Sequence, residues 1–204
     1  MTTLNDTPQE IFDEIREEYE KTLIIPKKKP SPQWMLMPIG LIGAGKTTVV
    51  KPLAERLGLI RISADDVRER LKGRGYGYEG CLDIVTALGK KYLGLGYSVV
   101  FDANNGSASG LERSRTIHEA FPEVRQLFIH INPPDEFIIA KLQKYPHTWL
   151  FKDGAHAVEA FKNNKETFVL PGVPFVYTFD TSKRNLPEQI EQGIVVIEEV
   201  LSRQ

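Results

Sequence analysis

Apolar residues recur along the chain in two rhythms. Short continuous or alternating runs at 34–39, 59–62, 97–102, 124–131 and 175–180 predict five strands. Between them, apolar positions three and four apart predict helices. One follows at 48–57 and stops at Gly58; another runs from 63 to 71 with Ser63 as its cap. Residues 81–95 form a third, ending among Gly94 and Gly96. Ser109 is placed to cap a helix running toward Phe121, Pro133 and Pro134 close the fourth strand, residues 135–145 read as helical, and 186–201 as a closing helix. The stretch containing Pro146, Gly154 and the polar run 162–165 reads as irregular, of the kind that closes over a ligand as a lid. Pro52 falls inside the helix at 48–57 and predicts a local kink.

The chain divides at about residue 33. Ile11, Ile15, Tyr19 and Leu23 share one helical face in an otherwise acidic segment, with Thr7, Pro8 and Glu10 arranged as a capping box. Pro26 to Pro32, with three consecutive lysines, reads as a stiff basic linker: a solvated spacer or a phosphate contact. Residues 1–33 are therefore expected to be an appendage, docked on the main domain at 34–204 or on a protein partner.

The junction between the first run and the next helix carries the most specific chemistry. Gly40-Leu41-Ile42-Gly43-Ala44-Gly45-Lys46-Thr47, continued by Thr48, follows the pattern G-x-x-x-x-G-K-[ST] between a strand and a helix. The first N–H groups of a helix have no intrahelical partner and sit at the positive end of its dipole, and glycines let the loop turn more N–H groups inward. Such a loop cradles a triphosphate, with Lys46 on the outer phosphates and the Thr47 hydroxyl on Mg2+. After the second strand, Asp65 and Arg68 lie three apart on one helical face. Either they complement the helix dipole, or Asp65 takes a proton from an acceptor hydroxyl while Arg68 steadies the phosphoryl in transit. Asp102 ends the third strand, beside the phosphate loop if the two strands are neighbours, where a carboxylate helps hold Mg2+. Arg74, Tyr76 and Tyr78, separated by glycines, offer a cation and stacking faces for a base, sugar or phosphate, or form an ordinary surface loop.

Composition narrows the partners. Lys and Arg number 26 against 27 Asp and Glu, so there is no global field for nucleic acid, though a local basic patch is compatible with this balance. Cys81 is the single cysteine, which excludes an internal disulfide and a cysteine metal cluster. His118, His130, His147 and His156 have no metal-ligand spacing. No apolar run reaches membrane-spanning length and the start of the chain lacks the parts of a signal peptide, so a reducing, cytoplasmic setting and no membrane partner are expected.

Together, GLIGAGKTT, ISADDVR, VVFDANN and FDTS resemble the P-loop kinases, and within them the polynucleotide-kinase-like group, near gluconate kinases and zeta toxins. The resemblance spans about residues 34–201. It implies an α/β, three-layer α/β/α P-loop NTPase fold with a five-stranded parallel sheet and a helical lid, while the extra N-terminal helix read from the residues lies outside the match. It implies ATP, Mg2+ and transfer of the γ-phosphate to a hydroxyl, with Asp65 as base, Arg68 at the reaction centre and Asn104 near the acceptor. Where such enzymes carry lid arginines, this chain has Lys141 and Lys144, which lack the planar fork; Arg113 or Arg115 is an alternative source of it. A nucleic-acid 5′-hydroxyl is the acceptor the resemblance puts first. A sugar, nucleoside or sugar nucleotide is the second reading, and a regulatory ATPase without an acceptor the third.

Overall fold

The computed structural model describes residues 7–78, 80–144 and 150–203. Five strands form one parallel sheet: β1 (Trp34–Ile39), β2 (Ile60–Ser63), β3 (Val99–Asp102), β4 (Arg125–Ile131) and β5 (Phe175–Phe179), in the order β2-β3-β1-β4-β5. All six residues of β1 are buried, as expected for a central strand covered on both faces. The period of two then sorts them. Met35, Met37 and Ile39 join one core, and Trp34 and Leu36 join the other. Pro38 lies beyond the β1–β3 pairing, which runs through Met35 and Leu36, so its missing N–H interrupts none of that ladder.

Helices cover both faces. The first core packs under α1 (Gln9–Glu20), α3 (Ala64–Gly73), α4 (Cys81–Gly94) and α5 (Ala108–Ala120). The second packs under α2 (Lys46–Leu57), α6 (Asp135–Lys144), α7 (Gly154–Thr167) and α8 (Leu186–Ser202). The chain runs from β1 outward to β2, returns to β3, and then crosses β1 to reach β4. The carboxyl end of β1 is thus the point where the winding reverses, the place where open α/β sheets bind ligands.

Helix starts depart from expectation at three places. Helix α1 begins at Gln9 after Pro8 with no side-chain cap, and the Thr7 hydroxyl is buried without a partner, so the capping box does not form. Ser107, not Ser109, caps α5 by accepting from the Gly110 N–H at 3.1 Å. The polar run 162–165 lies in α7, started by Asp153 accepting from the His156 N–H at 2.8 Å. Its polar residues are the solvent face of an amphipathic helix whose Ala157 and Phe161 are buried. Tyr145, Pro146 and His147 lie outside the described residues.

Of the two expectations for the N-terminal helix, docking on the main domain is what the structure shows. Ile15 and Tyr19 are fully buried in the first core. The Tyr19 hydroxyl accepts from the Ser63 N–H at 2.6 Å. Around this anchor, Arg74 pairs with Glu14 at 2.7 Å and with Glu18, while Glu20 receives Tyr92 Oη at 2.9 Å and Lys91 Nζ at 2.5 Å. The acidic face of α1 is therefore used on the domain itself. No helix among the described residues is long and apolar enough to cross a membrane.

Candidate active site

The loop between β1 and α2 is shaped by backbone constraints. Gly43 and Gly45 adopt φ of 78° and 92°, a left-handed region that other residues enter only with strain. At Gly40 a Cβ would lie 2.5 Å from the Ile131 carbonyl oxygen. Neighbouring elements hold the loop from outside: Thr181 Oγ1 donates to the Ala44 carbonyl at 2.7 Å, and the Ile42 N–H donates to Asn164 Oδ1 on α7 at 3.3 Å. Helix α2 starts at Lys46 with its first N–H groups at the loop, and Thr48, also proposed for the loop's ligand set, is exposed there. Lys46 folds back so that Nζ donates to the carbonyls of Gly40 and Leu41 at 2.9 Å each. Burial lowers its pKa, opposed by the carboxylates of Asp65 and Asp102. Both acids therefore lie close enough to act on the same ammonium.

Strand register explains how they converge. Ser63 pairs with Asp102, so β2 and β3 end side by side, and Asp65 follows two residues later at the start of α3. Thr47 Oγ1 donates to Asp102 Oδ1 at 3.2 Å, which joins the phosphate loop to β3. Hydroxyl and carboxylate oxygens at this separation are a hard donor set suited to Mg2+. Asp102 is almost fully buried, and burial raises its pKa against the opposing charge of Arg61. Arg61 donates through Nε to Asp102 Oδ2 at 2.7 Å and through Nη1 to Asp66 Oδ2 at 3.0 Å. Sequence reasoning passed over Arg61. Its signal was period two: a charged residue between Ile60 and Ile62 must face the other side of the sheet, where α2 and the phosphate loop lie.

Asp65 Oδ1 accepts from Arg68 Nη1 at 2.9 Å, the pair expected from their spacing. Tyr78 is close enough for both charges to act on its hydroxyl, whose pKa burial raises. Tyr76 packs on the first core, and Arg74 is engaged by Glu14 and Glu18 of α1. Of that loop, Tyr78 is the side chain on which the charges of Asp65 and Arg68 act. Asn104 Oδ1 accepts from the Gly106 N–H at 3.2 Å and shapes the loop after β3. Beside it Asn105, overlooked in the sequence, is wholly buried: Nδ2 donates to the carbonyls of Pro38, Phe101 and Ala103, and Oδ1 accepts from Arg113 Nη2 at 2.7 Å.

The two lysines expected at the lid differ. Lys141 is half-buried on α6, its pKa lowered by burial, and its charge acts on Lys46; Lys144 is exposed. The two arginines offered as alternatives are placed differently. Arg115 is exposed and paired with Glu112 and Glu119, and Arg113 is buried with its charge felt by Cys81 and Arg68. A cavity of about 560 Å³, lined by Tyr19, Leu23, Lys51 and Leu59, shares Arg61 and Asp66 with this network.

A glycine-built loop at the reversal point of a five-stranded parallel sheet, with Thr47 against Asp102, defines a nucleotide-binding P-loop kinase fold. A family model described as an AAA domain matches residues 35–163, and the chain belongs to that family. Among solved structures, the APS kinase of Mycobacterium tuberculosis in complex with AMPPNP and APS superposes with a TM-score of 0.61 at 18% identity, over 83% of this chain and 99% of that one. A kinase described as putative from Chloroflexus aurantiacus gives 0.66 at 17% identity, over 83% and 96%. A gluconokinase from Sinorhizobium meliloti gives 0.56 at 16% identity, over 85% and 95%. These likenesses speak for the fold. No curated protein matches the chain.

Proposed function

We propose that the protein is an ATP-dependent kinase that phosphorylates a hydroxyl of a small molecule. The observation that carries this is the meeting of two half-sites. The phosphate loop, with Lys46 and Thr47, faces a carboxylate–guanidinium pair, Asp65 and Arg68, at the adjoining strand ends. The loop amides and Lys46 would hold the donor phosphates of ATP, Thr47 and Asp102 would hold Mg2+, and the ion when bound neutralises charge on the phosphates. Asp65 accepts the proton of the acceptor hydroxyl, whose oxygen bonds to the γ-phosphorus as the bond to the β–γ bridging oxygen breaks and ADP leaves. Arg68 stabilises charge on the phosphoryl group in flight. The charge of Lys141 acts on Lys46, which supports it as the lid cation on the donor phosphates.

A small acceptor is favoured over the nucleic-acid 5′-hydroxyl that the family resemblance put first. Among similar structures are an APS kinase and a gluconokinase, named for small acceptors. Arg74, the cation nominated for a polynucleotide backbone, is engaged by α1. The test is transfer of label from γ-labelled ATP to a panel of sugars, sugar acids, nucleosides, nucleotides, sugar nucleotides and single-stranded oligonucleotides. Labelling of a small member supports the proposal. Labelling of oligonucleotides alone overturns the acceptor class, and hydrolysis of ATP with no labelled acceptor favours the regulatory reading.

A further inference from the structure

Arg113 is a buried charged side chain that the mechanism leaves unexplained. It is 94% buried, since only 6% of it is exposed. Burying a guanidinium is costly unless its charge and donors are met. Only one nitrogen is met: Nη2 donates to Asn105 Oδ1, while Nε and Nη1 are buried with no partner. The Phe101 ring, 6.0 Å from Cζ, offers a face but no acceptor for those N–H groups. Among the described residues no carboxylate bonds to it; another cation, Arg68, acts on it, and the Cys81 thiol, its pKa pushed up to about 11 by burial, is neutral.

The location gives this deficit a meaning. Cys81 opens α4, and its Sγ donates to the carbonyl of Ala64, the residue before Asp65. The same thiol is acted on by Arg68, Asp65 and Arg113. Asn105 ties Arg113 to the carbonyls of Pro38, Phe101 and Ala103, so Arg113 sits at the carboxyl ends of β1 and β3, the end of the sheet where Ser63 pairs with Asp102 and Asp65 follows. Asn105, pinned by three carbonyls, holds one nitrogen and so fixes the plane of the guanidinium, leaving its other donors preset. A planar fork with unused donors matches a carboxylate, sulfate or phosphate.

We infer that Arg113 is a binding residue for an anionic group on the acceptor, so that the acceptor is a hydroxyl compound carrying a phosphate, sulfate or carboxylate. This rests on the reading of Asp65 and Arg68 as the acceptor half-site. The anion would supply the counter-charge that Arg113 lacks, and it would turn the hydroxyl toward Asp65. A neutral acceptor would leave the buried cation unpaired, so selectivity follows from the same deficit.

The test reads Arg113 directly. In arginine-labelled wild-type protein, with the phosphate loop filled by Mg2+ and AMPPNP, the Nε–H resonance of Arg113 is followed as inorganic sulfate and then phosphate are added, with chloride at matched ionic strength. The resonance is assigned by its absence in Arg113→Lys. A saturable shift with sulfate or phosphate and none with chloride is expected. No shift, or an equal shift with chloride, overturns the inference. For transfer, anionic members of matched acceptor pairs should show KM roughly 10- to 100-fold below their neutral counterparts, the effect of a charged hydrogen bond. Arg113→Met should erase that difference with AMPPNP affinity unchanged; a difference that survives overturns the inference. The two readings fail separately. An anion response without transfer to any hydroxyl sinks the kinase reading alone, and transfer without an anion response sinks the Arg113 assignment alone.

Discussion

The proposed donor and acceptor halves of the site are built from different materials. Around Gly40 to Thr47, backbone does the shaping: positive φ at Gly43 and Gly45, a Cβ-sized clash at Gly40, and the start of α2. Around Asp65, side chains do it, and most come from distant parts of the chain. Tyr19 reaches Ser63 from α1, Arg74 ties the loop after α3 to Glu14 and Glu18, and Asn105 links β1, β3 and Arg113. A backbone-built site holds what the phosphate loop binds in many proteins. A side-chain-built site is where acceptor choice can vary without disturbing it.

That contrast can be broken most severely at Arg61, which joins the halves through Asp102 and Asp66. Arg61→Met leaves Asp102 buried with its main counter-charge gone. Loss of about 3–5 kcal/mol is expected, the usual cost of stranding a buried charge. By denaturant titration this appears as a lower midpoint, and an unchanged midpoint would show that Asp102 does not depend on Arg61. Next, Lys46→Ala should weaken ATP binding roughly 10- to 100-fold, the scale of lost hydrogen bonds to charged groups, without altering stability by a similar amount. Equilibrium binding of a fluorescent ATP analogue checks it, and wild-type affinity would move the donor site elsewhere.

On the acceptor side, Tyr19→Phe removes the acceptor for the buried Ser63 N–H and should cost about 1–3 kcal/mol. Because Ser63 caps α3 and precedes Asp65, kcat should fall more than ATP affinity. Equal losses in both would mean that α1 supports the whole domain rather than the acceptor half. The smallest effect expected is from pH. Burial on β4 lowers the His130 pKa below its ordinary value of about 6.5. The unfolded chain then binds the proton more readily, so stability is full above that value and declines as pH falls through it. Thermal melts from pH 7.5 down to 5.5 should show a slope that His130→Phe reduces; an unchanged slope would assign the decline to other groups.

The same contrast governs what was legible in the sequence. The phosphate loop, all five strands and the acid at the end of β3 could be read because they depend on local pattern and period. Asp65 and Arg68 could be paired because a helix brings residues three apart together. Arg74 could be read only as a ligand contact or part of a surface loop, because its partners Glu14 and Glu18 lie 60 and 56 residues away on α1, a distance no spacing rule spans. Tyr19 read as one more apolar position, since its hydroxyl contact with Ser63 exists only in the folded chain. Ser107 lost out to Ser109 as the α5 cap because either serine lies within the usual uncertainty of a helix end. Lys141 and Lys144 looked equivalent until the packing of α6 placed one of them by the phosphate loop and left the other in solvent.

The central proposal is that Asp65 takes the acceptor's proton while the phosphate-loop backbone and Lys46, rather than Asp65, hold the nucleotide. The most direct measurement pairs two readings on Asp65→Asn: the affinity for Mg2+ and ATP, and single-turnover transfer of the γ-phosphate to whichever acceptor the wild type labels best. The account predicts nucleotide affinity within about twofold of wild type and transfer slower by roughly 10²- to 10⁴-fold, the range general-base catalysis supplies. Transfer at the wild-type rate would contradict it.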